Sequence, residues 1–236
     1  MEGGGRTLRE CDETESVIEP DPFFAPYGPV FWLAESHPQH RTTSRKIGEA
    51  ILRYTVDRLG RFPARVLDVG CGTGQMARAM VDHGCAVVGV ESPQGLENCR
   101  RMGIFELDRA LTFSADLRDK NAILWDHLRM FKPNVVVCFE VLEHLPTVNA
   151  EYTLDRIREL GAEWLAISGA IPGQGGTGHV NEQYHEYWVG LAERHGTYQM
   201  DFSRTSGLQA DLFDPQHGPM FPWAANLCLY RKVGPE

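Results

Sequence analysis

The sequence predicts an α/β domain built on a doubly wound, mostly parallel sheet with helices on both faces. Two observations carry that expectation. The first is the stretch Val66 to Gly74, VLDVGCGTG. Its apolar run Val66, Leu67 and Val69 suits a buried parallel strand. Gly70, Gly72 and Gly74 follow at once, and Met76, Ala77, Met80 and Val81 then recur at helical spacing. The second is the alternation of strand-like and helix-like segments from residue 64 onward, the pattern of a parallel sheet covered on both sides.

The elements follow in order. Residues 1–19, acidic and glycine-rich with no apolar signal core, read as a disordered tail. Residues 20–43 set five prolines among Phe23, Phe24, Tyr27, Phe31 and Trp32. The prolines forbid a long helix there and the aromatics require burial, so the segment is a strap on the domain or a lid over its ligand. The main domain is expected over 44–236. Ser44 to Leu59 reads as a helix with an apolar face of Ile47, Ala50, Ile51, Tyr54 and Leu59, with Ser44 as its cap and Gly60 as its stop. Cys85 to Val90 is a second buried strand, and Ser92-Pro93 a good helix start. Further strands are expected at Leu111 to Ser114, Asn134 to Phe139 and Trp164 to Ser168, with helices at Lys120 to Met130, Thr147 to Leu160 and Glu186 to His195. Residues 169–184 form a glycine-rich loop. Tyr198 to Phe202 and Ala224 to Tyr230 are candidates for the last two strands.

Composition narrows the function. The 236 residues are 42% hydrophobic, enough for a real core in one domain. The formal net charge is −9 and no basic stripe stands out, so an extensive nucleic-acid footprint is not expected. No apolar run approaches the roughly 20 residues of a membrane span. The six cysteines are scattered without a CxxC pair, which suits buried thiols in a cytoplasmic protein.

The glycine turn has ligand-binding character, because bare main chain and the next helix's N–H groups face one spot. A dinucleotide site would want G-x-G-x-x-G. Here the spacing is G-x-G-x-G behind an acid, Asp68, and an acid in the turn suits a ligand with a cationic or amine end. Glu91 closes the next strand, where a carboxylate can receive a ribose hydroxyl pair.

At Asp68, Gly70, Gly72 and Gly74 the chain resembles the class I S-adenosylmethionine (SAM)-dependent methyltransferases, whose first motif is an acid followed by GxGxG. The resemblance covers about residues 44–232 and implies a Rossmann-like sheet with an antiparallel last strand. It implies SAM contacts from Asp68, Gly70, Gly72, Gly74, Glu91 and Glu140. It also places the adenine ring against Asp116 and the backbone N–H of Leu117.

Ligands of open α/β sheets sit at the carboxyl ends of the strands, where the loops 70–74, 91–93, 140–146 and 169–185 meet. On a helical turn Glu140, Glu143 and His144 share one face, a set with metal-ligand character for Mg, Mn or Fe, and His179 is available as a fourth ligand. This stretch resembles the ExxEH motif of small-RNA 2′-O-methyltransferases, which bind a divalent metal through two Glu and two His. An E-x-x-E-H-L stretch also occurs in ubiquinone-type O-methyltransferases, where it shapes the pocket and its His can act as a base. His144 and His179 are therefore candidate catalytic bases and, with Glu140 and Glu143, candidate metal ligands. The loop around His179 and Asn181 is expected to cover the methyl group, and Tyr187-Trp188 to be packing. The expected activity is methyl transfer to a hydroxyl of a small molecule. The alternatives are a metal-dependent RNA 2′-O-methyltransferase and a non-catalytic SAM-binding partner protein.

Overall fold

The computed structural model describes residues 27, 31, 32, 34, 37–56, 63–103, 105–107, 111–214, 218, 219 and 222–234. The expected tail at 1–19 and much of the strap lie outside these residues, as do Gly60 and Cys11.

Helix α1 (Pro38–Thr55) begins six residues before the expected Ser44. Pro38 sits in its first turn, where a missing N–H costs nothing, and the His37 side chain accepts from the Gln39 N–H. The proline read as a helix breaker is thus a helix starter, and Ser44 lies inside the helix.

Five parallel strands follow: β1 (Arg65–Val69), β2 (Ala86–Glu91), β3 (Thr112–Ser114), β4 (Val135–Cys138) and β5 (Trp164–Ile167). Between them run α2 (Gln75–Asp82), α3 (Pro93–Arg101), α4 (Ala122–Phe131) and α5 (Thr147–Glu159). Ser92 caps α3 as expected, its hydroxyl accepting from the Gly95 N–H. Next come α6 (His185–Glu193), β6 (Tyr198–Met200) and α7 (Phe202–Asp211). A two-residue pair, β7 (Phe213–Asp214) with β8 (Gly218–Pro219), precedes β9 (Cys228–Lys232). The main sheet runs β3-β2-β1-β4-β5-β9-β6, and β9 is antiparallel to both of its neighbours.

The helix α7 is absent from the sequence reading. It buries only Thr205 and Leu208, too few positions to show a helical period, and a three-residue strand stands directly before it. Asp201 starts it by accepting from the Arg204 N–H.

Strand side chains alternate between two cores. Leu67, Val136, Cys138 and Leu165 face α4, α5 and α6. Val66, Val135, Val137 and Ala166 face α1, α2 and α7. Cys71, Cys85, Cys99, Cys138 and Cys228 are buried thiols, in keeping with expectation. Strand order reverses between β1 and β4, which places a crevice at the carboxyl edge beside these two strands. No helix among the described residues is long and apolar enough to cross a membrane.

Candidate active site

The crevice at the switch point holds a cavity of about 400 Å³. One half is made by the turn after β1. Gly70, Gly72 and Gly74 all have positive φ, at 78°, 54° and 78°. A Cβ on Gly70 would stand 2.3 Å from Val141 Cγ2, so the glycine is what lets the loops after β1 and β4 touch. At Gly72 the nearest atom to such a Cβ is Trp32 Cζ3, 4.0 Å away, which leaves open space between the turn and the strap.

Glu91 ties this half together. Its Oε2 accepts from the Gly72 N–H at 2.9 Å, and Oε1 accepts from the Ser92 N–H and hydroxyl at 2.7 and 2.9 Å. A carboxylate has about four acceptor positions, so Oε2 keeps one for a ligand. Desolvation pushes the Glu91 carboxyl above its ordinary range, against these three donors. Asp116 and Leu117 also line the cavity. The Asp116 carboxylate is already gripped by Arg118, through Nε at 3.0 Å and through the Arg118 N–H at 2.9 Å.

Asp68 and Gly74 stand behind the cavity wall. Asp68 is fully buried, and neither of its oxygens has a hydrogen-bond partner. Burial, and then the Glu91 carboxylate, push its pKa up to about 7. Gly74 caps α2 in a left-handed conformation, packed under Leu107.

The other half is built from side chains. Leu142–His144 form a single 3-10 turn, and Glu140 precedes it with φ 54°. Glu140 therefore does not share a helical face with Glu143 and His144, contrary to expectation. Its carboxylate accepts from Ser168 Oγ and Gln174 Nε2, both at 2.9 Å, and desolvation raises its pKa. A non-glycine residue in this conformation is strained, a feature that clusters at functional sites. Glu143 is fully buried with both carboxylate oxygens unpartnered, and desolvation followed by Glu140 drives its pKa far up.

His144 and His179 meet edge to face, with ring centroids 4.8 Å apart. Burial lowers the His144 pKa to about 4, with His179 the next cause. Ligand atoms of Glu143, His144 and His179 lie within 4.8 Å of one another, and Glu140 is not in that group. Tyr27, from the strap, reaches His144 Nδ1 at 2.7 Å. Glu182 holds His179 Nδ1 at 2.9 Å and also accepts from the Gly173 and Gly175 N–H groups.

The sequence reading missed Tyr27, Trp32, Gln174 and Glu182 as individual site residues. Tyr27 and Trp32 were visible only as strap aromatics. The spacing of Glu182 three residues after His179 was the one local signal. Asn181 is not among the residues that line the cavity. It is buried and joined to Thr147 Oγ1 at 3.0 Å, so it anchors the loop. Trp188 is core, as expected, and donates to the Ala170 carbonyl. Among the described residues lining the cavity there is no lysine or arginine.

Comparisons with known proteins agree with this architecture. A family model described as a methyltransferase domain matches residues 39–205. The ubiquinone biosynthesis O-methyltransferase of Vibrio vulnificus is 33% identical over 87 residues, which cover 37% of this chain and 35% of that protein. The chain thus matches about a third of that relative's length. Among solved structures, magnesium protoporphyrin IX methyltransferase from Synechocystis, with bound SAM, superposes with a TM-score of 0.54 at 16% identity, covering 89% of each chain. A small RNA methyltransferase gives a TM-score of 0.52 at 16% identity, covering 80% of this chain and 25% of that one. At such identities these structures speak for the fold alone. Since the family match spans well over half of the residues and runs through both halves of the cavity, the chain belongs to the class I SAM-dependent methyltransferase family.

Proposed function

We propose that this protein transfers the methyl group of SAM to a hydroxyl of a small molecule. One observation carries the reading: a single cavity has an acid-backed glycine turn at one end and a pair of imidazoles at the other.

The residues at the glycine end fit SAM. Asp68 is a buried carboxylate without a partner, and a cation nearby would relieve it. The remaining acceptor position on Glu91 Oε2 would take a ribose hydroxyl. The main chain at Gly70 and Gly72 would lie against the ligand, with Asp116 and Leu117 towards the adenine. SAM supplies an electrophilic methyl on a sulfonium, and the C–S bond breaks, with its electron pair going to sulfur, as the bond to the acceptor oxygen forms.

What remains for the chain is positioning and a proton. An aliphatic or phenolic hydroxyl holds its proton at neutral pH, so an imidazole at the site has a role as base. His144 and His179 are the candidates. A cavity whose described lining has no lysine or arginine, backed by Asp68, Glu91, Glu140 and Glu143, favours a neutral acceptor over a phosphorylated one. This weighs against the RNA reading.

A second reading has its own observation. The unpartnered Glu143 carboxylate beside His144 and His179 fits a divalent cation, since buried charges are usually paired or coordinate metals. Those three residues would hold the ion, which would favour the ionised hydroxyl.

A screen with methyl-labelled SAM over phenols, sugars, peptides and short RNA tests the proposal. Label on a small-molecule oxygen supports it, and label on nitrogen or RNA alone overturns it. Repeating the assay in chelator, with elemental analysis, decides between the imidazoles alone and the cation.

A further inference from the structure

The strap also reaches the glycine end of the cavity, at Trp32. This indole is 6% exposed and lines the cavity together with Gly72 and Glu91. Its benzene ring bridges two glycines. A Cβ on Gly95 of α3 would stand 3.0 Å from Cζ2, and the nearest atom to a Cβ on Gly72 is Cζ3 of the same ring. The Glu91 carboxylate bridges the same two glycines. Its Oε2 accepts from the Gly72 N–H at 2.9 Å, and Oε1 would stand 2.6 Å from the Gly95 Cβ. Ring and carboxylate therefore lie side by side.

The sequence of α3 is shaped to this arrangement. Glycine inside a helix costs stability relative to alanine, and no positive φ calls for one at Gly95. A Cβ there would also stand 2.9 Å from Ser92 Oγ, so three side chains converge on the space it would fill. Further along the helix Asn98 is buried, and its Nδ2 donates to the Tyr27 carbonyl at 3.1 Å. Trp32 Nε1 donates to the same carbonyl at 2.8 Å, which ties the indole to α3. Phe31 packs edge to face against the indole, with centroids 5.0 Å apart.

We propose that Trp32 is a cofactor-binding residue, seated on α3 at Gly95 and Asn98 so that its benzene ring walls the ribose subsite at Glu91. The proposal rests on the reading of the glycine end as the SAM site. A ribose hydroxyl bonded to Glu91 would have an apolar ring beside it in place of water, and a hydrogen bond shielded from water is stronger. Asn98 acts through Trp32 and is a positioning residue.

Calorimetry of the full chain with SAM and with 5′-methylthioadenosine tests this. The second probe keeps the adenine and ribose and lacks the amino-acid end. Trp32→Leu should weaken both about tenfold or more, by similar factors, since the lost contact is to the shared sugar. Should Trp32→Leu fail to fold in a urea melt, Trp32→Phe is read in its place, with about fivefold expected for both probes. Asn98→Ala should weaken both about threefold in the wild-type background and neither in the tryptophan variant, which a merely structural asparagine would not do. Methylthioadenosine bound by the folded tryptophan variant as tightly as by wild type, or an Asn98→Ala loss that persists in that variant, overturns the proposal. Wild-type protein that binds neither probe instead refutes the SAM reading, and the role of Trp32 with it.

Discussion

In the glycine half of the cavity the lining groups include bare main chain at Gly70 and Gly72, and they come from neighbouring strand ends, those of β1, β2 and β3. In the histidine half they are side chains, and they come from three distant segments: the strap, the turn after β4 and the loop after β5. The first half depends on backbone conformation, with Gly70 and Gly72 at positive φ and one carboxylate tying the turn. The second depends on which partner each imidazole has. Binding and chemistry should therefore respond to different substitutions.

The largest expected effect is at the histidine end. His179→Ala should lower turnover roughly 10²–10⁴-fold by removing a proton acceptor from the imidazole pair, with SAM affinity almost unmoved. Matched kinetics and calorimetry check this, and parallel losses in both would break the distinction between the halves. Next comes Gly70→Val. The new side chain would strike Val141, and its φ of 78° is left-handed. It should cost on the order of 3 kcal/mol, read as about 100-fold weaker SAM binding and a lower urea midpoint.

A smaller effect concerns pH. The folded pKa of Asp68, about 7, lies above its unfolded value, so the native state binds the extra proton between those two values. The stability this contributes is full at the acid end and is lost as pH rises through 7. Asp68→Asn removes that loss. The variant should be more stable than wild type at pH 8 by on the order of 2 kcal/mol, and the difference should vanish near pH 4, as urea melts across pH would show. Its SAM affinity should fall. The smallest effect is Trp32→Phe, which deletes the bond from Nε1 to the Tyr27 carbonyl. A loss of about 1 kcal/mol should appear in both SAM affinity and turnover, because the strap lines both halves.

The contrast also explains what could be read from the chain. The glycine half was legible because its parts are contiguous: a strand, three glycines, a helix, then an acid at the next strand end. The five parallel strands followed from apolar runs of the same kind. Glu143 and His144 were legible as residue types, but a helical turn was assumed for them, and the positive φ of Glu140 breaks that geometry. The early start of α1 turned on reading Pro38 as a first-turn residue. Tyr27 lies 117 positions from His144, and no local period connects them. Gly176 and Gly178 looked like a flexible cover, but their absent side chains make room for His179 and Tyr27.

The most direct test sets Glu91→Ala against His179→Ala in one experiment, measuring the Kd for SAM and the turnover of a hydroxyl acceptor at saturating SAM. The account predicts that Glu91→Ala weakens SAM binding about tenfold or more with turnover largely kept, since hydrogen bonds to a charged group contribute about 1.5–3 kcal/mol. It predicts that His179→Ala keeps SAM binding and loses turnover. Equal losses of binding and turnover in both variants, or full turnover without His179, would contradict it.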